Sequence, residues 1–143
     1  MEKVAVVTGT SSGIGFETAL ALAREGYHTY ATMRDITKSD KIKELGQKES
    51  LKISVLELDV DDEDSIKAAI KKFLGEKQSI DVLVNNAGWG LWGCVEDVSV
   101  DEFKAQFDTN FFSVIRLIQE VGPTMRKQGS GKIVNISSVA GRI

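Results

Sequence analysis

The chain has 143 residues, 42% hydrophobic and 27% charged, with 18 basic against 21 acidic residues for a net charge of −3. That length allows one domain burying roughly two-thirds of its unfolded surface, with no room for a second, and basic residues dispersed through an acidic chain argue against a nucleic-acid partner. No apolar run reaches membrane-helix length, Met1-Glu2-Lys3 leads straight into a strand without room for a signal peptide, and the lone Cys94 excludes an internal disulfide, so the expected setting is the reducing cytoplasm.

The first apolar run, Lys3 to Thr8, predicts a buried strand. It enters Thr8-Gly9-Thr10-Ser11-Ser12-Gly13-Ile14-Gly15, and a helical pattern from Gly13 to Glu25 stops at Gly26. A glycine-rich turn between a buried strand and a helix lets bare backbone approach a pyrophosphate, while the helix N-terminus presents unpaired N–H groups and partial positive charge. The spacing Gly-x-x-x-Gly-x-Gly differs from the commoner Gly-x-Gly-x-x-Gly, and glycines alone also make ordinary tight turns. A strand from His28 to Met33, a short helix around Ser39 to Leu45 and a strand from Lys52 to Leu58 follow.

The acidic run Asp59, Asp61, Asp62, Glu63, Asp64 leads into a helix from Glu63 to Leu74 with Ile66, Ile70 and Phe73 on one face. Apart from Asp59, these acids read as partners of the helix dipole, and without His or Cys they imply no metal site. The strand Asp81 to Val84 closes on Asn85-Asn86-Ala87-Gly88. Ser99 and Glu102 form a capping box for a long helix from about Val100 to Lys127, which Pro123 should kink or divide near Gly122. The strand Lys132 to Ser137 closes on Asn135-Ile136-Ser137-Ser138-Val139-Ala140-Gly141.

Strands alternating with helices demand parallel pairing through right-handed crossovers. The predicted fold is therefore an α/β, doubly wound parallel sheet of the Rossmann type, one domain over residues 1–143, with five strands in the order 3-2-1-4-5. Three strand ends carry small polar residues and glycine, and in such sheets ligands bind at those ends.

Taken jointly, the glycine loop, the Asn-Asn-Ala-Gly turn, the Asn-Ile-Ser-Ser segment and Asp59-Val60 resemble the short-chain dehydrogenase/reductase family over essentially the whole chain. The stretches Asn85 through Trp92 and Ala31-Thr32-Met33-Arg34-Asp35 look closest to the branch holding hydroxysteroid and retinol dehydrogenases. The resemblance implies an oxidoreductase in which a nicotinamide cofactor passes hydride to or from a carbon while a tyrosine, acidified by a lysine, handles the proton. Ser138 is then the catalytic serine that hydrogen-bonds the substrate oxygen. Asn110 is the helix asparagine whose backbone carbonyl positions a water. Alternation along the strand would send Ser137 and Ser138 to opposite faces. Cofactor contacts are implied for Gly9, Ser11, Ser12, Gly13, Ile14 and Gly15 near the pyrophosphate and adenosine. Asn86, Ala87 and Gly88 are implied beside the nicotinamide ribose, and Asp59 with Val60 at adenine. The family's Tyr-x-x-x-Lys does not occur here, since four residues after Tyr27 and Tyr30 stand Ala31 and Arg34; it is expected on a helix just past Ile143.

The choice of nicotinamide cofactor turns on the end of the second strand. An acid there would bind the ribose 2′-OH of NAD and repel the 2′-phosphate of NADP. Met33 takes that position and Arg34 follows, which favours NADP, whereas Asp35 and the absence of a basic residue at Ser12 favour NAD. NADP is the expected cofactor, with NAD as the alternative. Trp89-Gly90-Leu91-Trp92-Gly93 suggests an apolar pocket for a small steroid- or retinoid-like alcohol or carbonyl, though tryptophans also serve cores and interfaces. Cys94 reads as a small packed residue. The long helix carries Phe103, Phe107, Phe111, Phe112, Ile115 and Ile118, more apolar surface than one sheet-facing side requires, so a homodimer or homotetramer through residues 100–127 is expected. The competing reading is a non-catalytic nucleotide-binding or interaction module, which lacks the tyrosine proton donor.

Overall fold

A computed structural model of the chain describes residues 2–142. Strands β1 (Val4–Val7), β2 (His28–Met33), β3 (Ile53–Glu57), β4 (Val82–Asn85) and β5 (Lys132–Asn135) form one parallel sheet in the order β3-β2-β1-β4-β5. The expected order is the observed one. Side chains alternate along β1 and supply both faces. Val4 and Val6 join Tyr30, Leu83, Phe73 and Leu117 in one core cluster, while Ala5 and Val7 join Phe16, Leu20, Ala31 and Ile42 in the other. A central strand buried on both faces is the reason the first run reads as uninterrupted Val-Ala-Val-Val rather than as alternation.

Helices α1 (Gly13–Arg24) and α2 (Asp40–Lys48) contribute to the second cluster, and α3 (Glu63–Lys77) to the first. The short helix expected at Ser39 begins earlier, with a 3-10 turn over Ile36–Ser39 that runs into α2. The capping box at Ser99 and Glu102 forms and opens α4 (Val100–Phe107).

The long helix is divided, but not at Pro123. A π-helical turn over Asp108–Phe112 separates α4 from α5 (Ser113–Gln128), and α5 continues through Pro123. Pro123 and Gln119, whose carbonyl the missing N–H would have engaged, both stand on the solvent side, where water can replace the lost bond. At the π turn the Ser113 N–H reaches back to Asp108 O, and the Ser113 hydroxyl donates to Thr109 O at 2.6 Å. A serine that back-bonds to the preceding turn and an i→i−5 bond both widen a helix locally.

At the end of the sheet where the strands begin, Glu2 accepts from Lys52 Nζ at 2.6 Å and Lys77 Nζ at 2.8 Å. These two hydrogen bonds lower its carboxyl to about 2. His28 Nδ1 lies 3.6 Å from the same carboxylate and its Nε2 shares a hydrogen bond with Ser54 Oγ. Burial first, then the charge of Lys77, lowers the imidazole's pKa.

Candidate functional site

The chain leaves β1, β4 and β5 on the same rim of the sheet, so the loops that follow them are neighbours. Gly9 has φ +68° and Gly13 φ +61°, a left-handed conformation that side chains rarely adopt. Around Gly13 nothing lies within 4 Å of where a Cβ would stand, so its backbone faces open space. Gly15 is glycine for the opposite reason: a Cβ there would collide with the Gly9 carbonyl and the Asn86 amide. Ser12 is extended, with φ −164° and ψ 175°, and its hydroxyl gives no cap to α1. The first N–H groups of α1 therefore lack the side-chain acceptor that usually satisfies one of them. An uncapped helix N-terminus behind a glycine that faces open space fits an anionic pyrophosphate. Ile14 is 64% exposed on the same loop, beside Ser11 and Ser12, which are exposed as well.

Thr8 sets this loop against the next. Its buried hydroxyl accepts from the Asn86 and Ala87 N–H groups, each at 3.0 Å. Asn86 Nδ2 in return donates to Thr8 O at 3.0 Å and Gly9 O at 3.1 Å. On the other side, Thr10 donates through both N–H and Oγ1 to Thr32 O, and Thr32 Oγ1 donates to Val7 O. The glycine loop is thus fastened to both neighbouring strands by bonds that need no ligand, while Asn86 and Ala87 act as its brace.

At the end of β2, Met33 is buried and Arg34 exposed. The Asp35 carboxylate accepts from the Thr37 hydroxyl and from its N–H, capping the 3-10 turn. Those two bonds hold the Asp35 carboxyl below its usual value. At the end of β3, Asp59 Oδ1 accepts from the Asp61 N–H at 3.0 Å and the Asp59 N–H donates to Ser65 Oγ at 2.9 Å. The Val60 side chain packs in the core and leaves only its backbone for any contact outside it.

Asn110 lies in the π turn, and its amide clamps the loop after β4. Its Oδ1 accepts from the Trp89 N–H at 3.0 Å, and its Nδ2 donates to Trp89 O at 2.8 Å. Gly88 makes room for this clamp, since a Cβ there would come within 3.0 Å of Oδ1. Thr109 Oγ1 accepts the Trp89 indole N–H at 3.1 Å and donates to Asp61 Oδ2 at 2.9 Å. Asp61 therefore ties the loop after β3 to the π turn, rather than serving the dipole of α3 with its neighbours. The N-cap of α3 is Asp62, which accepts from the Asp64 N–H.

Ser138 stands apart from this network. β5 ends at Asn135, so strand alternation does not govern Ser137 and Ser138. Both serines lie exposed in the turn before the 3-10 segment Val139–Arg142. The Ser138 hydroxyl accepts from the Ala140 N–H at 3.2 Å, and among the described residues it forms no bond to Asn110. Asn85, buried at the end of β4, donates through Nδ2 to Asn135 Oδ1 at 2.8 Å and keeps a buried Oδ1 without a partner. Trp92 is 88% exposed, and Cys94 is exposed too rather than packed. Among the described residues no cluster of His, Cys, Asp and Glu is arranged to hold a metal ion, and no helix is long and apolar enough to cross a membrane.

Thr8, Asp61, Trp89 and Thr109 are positioning residues, a role that no pattern along the chain assigns to them. Thr8 is visible as the last residue of the first apolar run. The Asp61–Thr109 bond spans 48 positions and leaves no local signal.

The family profile described as short chain dehydrogenase matches residues 3–143. The chain belongs to the short-chain dehydrogenase family. An uncharacterized oxidoreductase of Bacillus subtilis is 42% identical over 142 residues, covering 98% of this chain and 50% of the relative. Human retinol dehydrogenase 8 is 40% identical over 143 residues, covering 97% of this chain and 45% of the relative. A solved metagenomic short-chain oxidoreductase in complex with NADP superposes with a TM-score of 0.92 at 33% identity, covering 97% of this chain and 63% of that one. The chain thus spans about half the length of the curated relatives it matches. The bacterial oxidoreductase and the retinol dehydrogenase are nearly equally similar, so family membership is settled without selecting a substrate.

Proposed function

We propose that this chain is the cofactor-binding part of a short-chain dehydrogenase that interconverts an alcohol and a ketone or aldehyde, with NADP as its cofactor. The observation that carries the reading is the cradle at the start of α1, where Gly13 faces open space at positive φ and Ser12 leaves the helix uncapped. Gly9, Ser11, Ser12, Gly13, Ile14 and Gly15 would hold the pyrophosphate and adenosine side. The Asp59 carboxylate and the Val60 backbone would meet adenine, and Asn86, Ala87 and Gly88 would flank the nicotinamide ribose. A bound nicotinamide supplies or accepts the hydride.

The chain's own residues do the rest. Ser138 Oγ, exposed and held by one weak turn bond, is free to hydrogen-bond a substrate oxygen and stabilise charge developing there. Asn110 spends its side chain on Trp89, which leaves its backbone as the group that can position a water. A tyrosine–lysine pair supplied outside these 143 residues would handle the proton.

Arg34 favours NADP because it is exposed and, among the described residues, forms no ion pair. Asp35, the acid that would favour NAD, is already engaged by Thr37. Trp89, Leu91 and Trp92 would form an apolar wall for a hydrophobic substrate. Phe107, Phe111, Phe112 and Ile115 lie exposed along α4, the π turn and α5, and Phe111 meets both Phe107 and Phe112 in T-shaped contacts. A second copy would cover this stripe in a homodimer or homotetramer. The lone cysteine fits a reducing compartment such as the cytoplasm.

The test is a titration of the purified protein with NADPH and NADH, read by energy transfer from tryptophan to the reduced nicotinamide. Saturable transfer with tighter NADPH binding is expected; no transfer with either would overturn the cofactor reading.

A further inference from the structure

We infer that Lys41 is a second cationic reader of the cofactor's 2′-phosphate, standing in for the basic residue that the glycine loop lacks at Ser12. The inference rests on the NADP reading above and names a residue that the resemblance does not supply. An open cleft of about 620 Å³ lies against the start of α1, lined by Ser11, Ser12, Gly13, Phe16 and Lys41. Lys41 reaches it from α2, the helix that follows the end of β2.

Its ammonium lies 5.0 Å from the centroid of the Phe16 ring. Phe16 is buried in the sheet-facing core, so the ring is a fixed seat, and a cation over its face keeps its charge while its position is narrowed. Among the described residues Lys41 forms no ion pair, whereas the nearby Lys38 is drawn to Asp35 at 3.9 Å. The cleft thus holds a cation seated by an aromatic ring and, among the described residues, outside any ion pair.

The anion class follows from charge and place. The pyrophosphate belongs at the N-terminus of α1, and the ribose beside it is reached from the end of β2, where Arg34 stands. A phosphate on that ribose would meet Lys41 from α2, with Arg34, which follows β2 and does not line the cleft, as the other basic group of this rim. Glu17 also lines the cleft and opposes an anion there. A single cation would be offset by that carboxylate, which is the physical reason for two. The 2′-OH of NAD carries no charge for Lys41 to read, so the residue acts on selectivity rather than on dinucleotide binding in general.

The experiment measures dissociation constants of NADPH and NADH by the same energy transfer for the unaltered protein, Lys41→Ala and Lys41→Arg. Lys41→Ala is expected to weaken NADPH about tenfold, the loss of one charge-assisted contact, with NADH unchanged. Lys41→Arg should keep most of the preference. If the unaltered protein prefers NADPH and Lys41→Ala keeps the full preference, the role of Lys41 is overturned while the cofactor reading stands. Equal weakening of both dinucleotides would assign Lys41 to packing on Phe16 and overturn it as well. An unaltered protein with no preference, or with preference for NADH, would overturn the NADP reading and this inference together.

Discussion

The loop after β1 and the turn after β5 sit on the same rim of one sheet and are built in opposite ways. Around the glycine loop, Thr8, Thr10, Thr32 and Asn86 exchange hydrogen bonds with backbone groups of both neighbouring strands, and all three threonines are buried. After β5, Ser138 rests on one bond inside an exposed turn, every residue of β5 is exposed, and Val139 is 82% exposed. The contrast teaches where this chain specifies geometry by itself. A loop that is to cradle a pyrophosphate, as proposed above, must hold backbone N–H groups at fixed positions before the ligand arrives, which calls for several buried bonds at once. The serine turn has few partners among these residues, and its position is correspondingly less determined.

The comparison breaks most sharply at Gly15. Replacing it with alanine drives a Cβ into the Gly9 carbonyl and the Asn86 amide, where backbone has to move. A loss of about 3–4 kcal/mol in urea unfolding is expected, together with loss of NADPH binding. Next comes Thr8→Val, which keeps the shape but strands the Asn86 and Ala87 N–H groups. It should cost about 2–3 kcal/mol by the same measurement, with NADPH binding weakened.

Asn110→Ala removes two bonds to the Trp89 backbone at an exposed position. A loss of about 1 kcal/mol is expected, with a change in tryptophan emission as the loop after β4 loosens. Ser138→Ala sharpens the contrast from the other side. Stability should change by less than about 0.5 kcal/mol, because only an exposed turn bond is lost. If Ser138 is the catalytic serine proposed above, turnover of a protein that also carries the tyrosine–lysine pair should fall by at least about a hundredfold. A Ser138→Ala protein that unfolds as readily as Thr8→Val would erase the distinction between the two loops.

The smallest expected effect is a pH dependence from the opposite end of the sheet. His28 has its pKa lowered by folding, so the unfolded chain binds its proton more readily and stability falls as pH drops below the unfolded imidazole value. Glu2 is lowered to about 2, so its contribution is present above the ordinary carboxylate range and disappears as pH falls from 4.5 towards 2. Urea midpoints measured from pH 8 to pH 3 should decline in two stages. His28→Gln should remove the upper stage and leave the lower; a decline unchanged by that substitution would mean other groups carry it.

Much of this is legible in the sequence. The five strands, their order and the glycine loop are written in short apolar runs ended by glycine or small polar residues, and Ser99-x-x-Glu102 announces its helix cap. Pro123 misled because its effect depends on which side of the helix it occupies, and on the solvent side water replaces the bond. The role of Asp61 was hidden in an acidic run whose neighbours do serve α3. The predicted strand runs on to Ser137, whereas β5 ends at Asn135, with one further bond from the Ile136 N–H to Asn85 O.

By itself the sequence determined the fold and the place of the glycine loop, since burial on both faces of a central strand and positive-φ glycine turns are local demands that residue types must meet. Only the tertiary structure decided which side chains brace that loop, that Asp61 and Trp89 meet at Thr109, that the long helix opens at a π turn, and that Lys41 faces the glycine loop. Those outcomes depend on contacts between segments far apart in the chain, and the geometry of such contacts is set by how the layers pack rather than by any pattern along one of them.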